Sequence, residues 1–61
     1  MNSKFIKKYC DENGIYILYD SFFKEYRVAR DYSILYISES YENCIEYIVE
    51  VIINDKHTNN R

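Results

Sequence analysis

The sequence predicts an α+β fold in the order helix, three antiparallel strands, helix (αβββα). Three observations carry this expectation. From Ser40 to Asn54, residues Tyr41, Cys44, Ile45, Ile48 and Ile52 recur three or four apart, the spacing that lines one side of an α-helix. Between Ile15 and Ser38, three runs rich in Ile, Tyr, Val and Leu are separated by Asp20-Ser21 and Asp31-Tyr32, which reads as strands joined by turns. Asn13-Gly14 closes an N-terminal helical stretch, because glycine reaches positive φ at little cost.

In chain order, Ser3 to Asp11 sets Phe5, Ile6, Tyr9 and Cys10 at helical spacing, with Ser3 as the cap. A strand alternating at Phe5 and Tyr9 is the other reading. Two helical turns are marginal alone and must dock on something. Ile15 to Tyr19 is an unbroken β-branched and aromatic run, expected as a strand buried on both faces. Phe22 and Phe23 follow in a turn, where both are exposed. The second strand, Lys24 to Arg30, points Tyr26 and Val28 one way and Glu25, Arg27 and Ala29 the other. The third, Ser33 to Ser38, points Ile34 and Tyr36 to one face and Leu35 and Ile37 to the other. Short connections make an antiparallel meander the economical arrangement.

The second helix starts with Ser40 as N-cap, Ser38 being the other candidate, and Glu42 meets the positive end of the helix dipole. One helix covers one face of such a sheet. The other face then shows some of Tyr16, Leu18, Leu35 and Ile37, unless the N-terminal helix or a second subunit covers it. Asp55 to Arg61 lacks apolar anchors and is expected to be a disordered tail.

A chain of 61 residues is expected to form one domain. At this size the gain from apolar burial and the cost of ordering the chain nearly cancel, so small folds lean on a staple. Cys10 and Cys44 form no disulfide framework and read as buried, reduced thiols. Homo-oligomerisation is the remaining common device. No secretory signal or membrane span is visible, which makes a cytoplasmic setting the expectation. The net charge of −2 argues against a nonspecific grip on phosphate backbones. Heavy use of Ile, Tyr, Asn and Lys is codon-linked and points to an AT-rich genome, such as those of many low-GC bacteria and their phages.

No motif carries chemistry. His57 is the one histidine and sits in the polar tail; Gly14 is the one glycine, so a phosphate-cradling loop has no material. Cys10, Cys44 and His57 lack the spacing of a zinc signature. The expectation is no enzyme, no cofactor and no metal.

Three surfaces are candidates instead. Glu42, Glu46 and Glu50 stack four apart into an acidic row with no Lys or Arg between them. It is either a solvated face or a contact for a basic partner. Tyr47, Val49, Val51 and Ile53 lie off the main apolar stripe and are candidates for self-association. Lys24, Arg27 and Arg30 offer a basic sheet face, although alternation sets Arg27 opposite the other two. Eight tyrosines suit a recognition surface and equally suit strands and core margins, with codon use inflating their number; the candidates for an exposed group are Phe22, Phe23, Tyr32 and one face of the sheet.

The helix, three-strand, helix layout resembles the double-stranded-RNA-binding domain. Such domains hold lysines where the last helix begins; here Glu39, Ser40, Tyr41, Glu42 and Asn43 stand there. The sheet with its C-terminal helix also looks like the arm-binding domains of phage-type integrases, which would place Lys24, Arg27 and Arg30 on DNA. The expected function is a small, non-enzymatic, homodimeric protein-interaction module. An accessory or inhibitory protein of a phage or mobile element fits that description, with sheet-face nucleic-acid binding as the alternative.

Overall fold

A computed structural model describes residues 1–59, with side chains through Lys56. Its elements are α1 (Ser3–Asn13), β1 (Ile15–Asp20), β2 (Glu25–Arg30), β3 (Ser33–Ser38) and α2 (Tyr41–Asn59). The strands form one antiparallel sheet in the order β1-β2-β3. This is the predicted αβββα arrangement.

The N-terminal segment is helix, not strand. Its cap is Asn2 rather than Ser3: the Asn2 side chain accepts from the Phe5 amide at 2.9 Å, and its carbonyl accepts from Ile6 at 3.2 Å. Asn and Ser cap about equally well, so the earlier residue simply lengthens the helix. Gly14 ends α1 at φ 68, its N–H bonded to the Cys10 carbonyl, the conformation only glycine adopts without strain.

The β1–β2 hairpin turns on Asp20. One carboxylate oxygen accepts from the amides of Phe22 at 2.8 Å and Phe23 at 3.0 Å. Lys24 stands in this turn and does not open β2 as predicted. It takes φ 55, the left-handed residue that lets a short loop rejoin its partner strand. Asp31 takes φ 55 in the β2–β3 turn, a conformation Asp tolerates better than most residues.

Both helices lie on one face of the sheet. Ile6 of α1, Ile15 and Val28 of the sheet, and Cys44, Ile48 and Ile52 of α2 form a single buried cluster. Cys44, Ile48 and Ile52 realise the predicted stripe, whereas Tyr41 is half exposed and meets Tyr26 edge-on at 5.5 Å. Tyr47 stacks flat on Tyr36, with ring centroids 4.7 Å apart and planes 8° off parallel. Ser40 caps α2, its hydroxyl accepting from the Asn43 amide at 3.2 Å, while the Ser38 hydroxyl accepts from the Ser40 amide at 3.1 Å.

α2 continues through Asn59, so the stretch from Asp55, expected to be disordered, is helical as far as the structure describes it. Residues 60–61 lie outside the described residues. Tertiary contact supplies what the sequence lacked: the Tyr9 hydroxyl donates to the Asp55 carboxylate at 3.1 Å, and the Lys56 ammonium lies 4.3 Å from the Phe5 ring centre. Cation–π contacts of this kind contribute about 0.5–1 kcal/mol at exposed sites.

Candidate interaction surface: the open face of the sheet

Because α1 and α2 share one side of the sheet, the other side has no covering element among the described residues. The register tells which side chains it carries. Leu18, Arg27 and Ile37 lie across from one another, as do Tyr16, Ala29 and Ile34. Ala29 is 2% exposed yet stands apart from the helix-side core. It is the floor of this second face, walled by Tyr16 and Ile34. The walls are open: Tyr16, Leu18, Ile34 and Ile37 are 44%, 48%, 48% and 51% exposed.

Ile34 reaches this face through a break in alternation. Val28 pairs with Tyr36, but the next residue, Ala29, pairs with Ile34. Leu35 is therefore an extra residue, a β-bulge. It corrects the sequence reading, which set Ile34 beside Tyr36 and Leu35 beside Ile37. A bulge changes the parity of everything beyond it, so Ile34 and Ile37 share the open face while Tyr36 turns to the helices.

The hairpin end of the face is polar. The Arg27 guanidinium contacts Glu25 at 2.9 Å and Asp20 at 3.1 Å. Phe23 stands 5.9 Å from that guanidinium and meets Phe22 edge-on at 4.8 Å. Both phenylalanines are exposed. At the other end the Tyr16 hydroxyl donates to the Asp31 carbonyl at 3.0 Å.

The Phe23 and Phe22 amides, joined by Arg27, hold the Asp20 carboxyl below the ordinary aspartate range. A depressed carboxyl contributes stability above its unfolded value, near pH 4, and loses it as the pH falls through the lower folded value. Asp20→Asn is therefore expected to melt below the parent at neutral pH and to converge with it in acid. Thermal midpoints from pH 7 down to pH 2 check this, and a gap of constant size would contradict it.

The predicted basic platform does not assemble. Lys24 is in the turn, Arg27 is held by two carboxylates on the open face, and Arg30 pairs with Ile15 on the helix side, half-buried. Of the self-association candidates, Tyr47, Val49 and Val51 pack against the core, leaving Ile53 exposed. Glu42, Glu46 and Glu50 are all exposed, and none is in an ion pair among the described residues. His57 lies beyond the described side chains.

Cys10 and Cys44 are free thiols, and burial pushes both above the ordinary cysteine value. Cys10 lines a shallow apolar groove of about 700 Å³ with Ile6, Ile15, Ile17, Tyr41 and Ile45. No group of three His, Cys, Asp or Glu among the described residues is placed to hold a metal ion. No described helix is long and apolar enough to cross a membrane. The open face was partly foreseen, in Tyr16, Leu18 and Ile37. Ile34 was missed, and four consecutive apolar residues from Ile34 to Ile37 give no cue to where the parity changes.

No protein-family model, curated protein or solved structure matches this chain.

Proposed function

We propose that this chain is a non-enzymatic protein-interaction module that docks through the open face of its sheet. The observation that carries the reading is the set of four large apolar side chains on one sheet face, each about half exposed, with no described element over them. A solvated antiparallel face alternates toward polar residues. Contiguous apolar patches are characteristic of contact surfaces. Protein suits this face better than nucleic acid, because its one cation, Arg27, is already matched by Asp20 and Glu25.

The acidic row supports a second contact. Glu46 stands about 200° around α2 from buried Cys44, and Glu50 about 200° from buried Ile48, at 100° per residue. The row therefore faces away from the sheet and is free to meet a basic partner. Such a partner fits an accessory or inhibitory protein that occupies a phosphate-binding surface in the cytoplasm.

Affinity capture from the native host, followed by mass spectrometry, tests the docking face. Leu18→Glu is expected to remove captured protein while circular dichroism stays that of the parent. Capture undiminished by Leu18→Glu, in a variant that also self-associates as the parent does, overturns the reading of the sheet face. Capture retained by a Glu46→Lys, Glu50→Lys double variant removes the acidic row from it.

A further inference from the structure

We infer that the occupant of the open sheet face is a second copy of this chain, packed face to face about a two-fold axis. The inference rests on the docking role proposed for that face. Four features carry it.

The first is area. Taking a fully exposed aromatic as about 200 Å², the four central side chains with Phe22 and Phe23 present on the order of 700 Å², close to the roughly 800 Å² per partner of a standard interface. The second is polarity. The centre of the patch carries no unmet polar group: the Tyr16 hydroxyl is bonded to Asp31, so its ring can leave water without orphaning a donor. Arg27 stands between Leu18 and Ile37 within the face, and Asp20 and Glu25 already match its charge, so a covering surface leaves no unpaired cation there.

The third is charge. With a net charge of −2, two copies repel, yet Glu42, Glu46 and Glu50 sit on the far side of the molecule from this face. Approach through the sheets keeps the acidic rows as far apart as the fold allows. The fourth is symmetry. An isologous contact uses the same patch on both copies and leaves none over, so assembly stops at two. Sheets stacked in this way lie about 10 Å apart with strands near −30°. The dimer then displays two acidic rows on opposite outer sides.

Sedimentation of the full chain over a range of concentrations tests the inference. The parent is expected to be a dimer and Leu18→Glu a folded monomer, with the dimer dissociation constant raised at least about a hundredfold. Leu18 is about half exposed, so in the monomer the introduced carboxylate stays in water. Should that variant unfold, Leu18→Thr with Ile37→Thr keeps strand propensity and is expected to dissociate likewise. Ile53→Glu is expected to leave the dimer intact. A parent that stays monomeric, while Leu18→Glu still loses a captured protein, overturns the second copy and leaves the docking role standing. A dimer that survives the Leu18 and Ile37 changes but splits in Ile53→Glu overturns the inference in favour of α2. A monomeric parent whose capture is indifferent to Leu18 overturns both readings.

Discussion

Ile52→Ala is expected to remove about 3–4 kcal/mol of stability, and Ile53→Ala less than about 0.5 kcal/mol, although the two residues are neighbours. Ile52 is 0% exposed and closes the core against Ile6 and Ile48, while Ile53 is 53% exposed. Removing three buried carbons leaves a cavity that a helix held from both sides collapses into poorly. A domain of this length has roughly 3–9 kcal/mol in total, so Ile52→Ala is expected to be largely unfolded at room temperature or close to it. Urea midpoints of the two variants give the comparison directly. Equal costs would mean that α2 is rotated from its assigned setting, and the core would have to be redrawn.

Deleting Leu35 is expected to be tolerated, whereas deleting Ile17 is expected to unfold the chain. Strand deletions are normally severe, because losing one residue sends everything beyond it to the wrong face. β3 is the exception. Its extra residue is Leu35, and without it Ile34 still faces Ala29 and Tyr36 still faces Val28. The loss is one half-buried side chain, about 1–2 kcal/mol. β1 pairs with β2 without a shift. Taking out Ile17 would swing Ile15 from the core to the open face and Tyr16 into the core. Urea unfolding followed by tyrosine fluorescence distinguishes the two deletions. A Leu35 deletion as damaging as the Ile17 deletion would contradict the bulge.

Periodicity made the helices, the three strands and their order legible. The stripe of Cys44, Ile48 and Ile52 needs no partner to be seen, and Gly14 marks a stop by its own backbone freedom. What stayed hidden depends on contacts between distant residues. The reach of α2 past Asn54 depends on Tyr9 and Phe5, some 46 residues or more away in sequence from the groups they hold. Lys24 reads as a strand residue by pattern, and the closure of the hairpin makes it a turn residue. The candidate surface was legible as an excess of apolar side chains but not as a list, because parity counted from either end of β3 fails at Leu35. The basic platform and the helix patch had the opposite fault. Each was plausible residue by residue; the structure sets Lys24, Arg27 and Arg30 in different places, and of the helix patch it leaves Ile53 exposed with Tyr47, Val49 and Val51 partly buried.

The sheet order places β1 and β3 at its two margins, and the margins differ. β3 carries an irregularity of the kind that bends a border strand away from newcomers. β1 is six regular residues, Ile-Tyr-Ile-Leu-Tyr-Asp, without proline, lysine or kink. No backbone hydrogen bond from outside the sheet reaches it among the described residues. Of the two borders, β1 is therefore the more regular template for a foreign or misfolded segment to zip onto. Ile17→Lys would bar it at the expense of the core beneath.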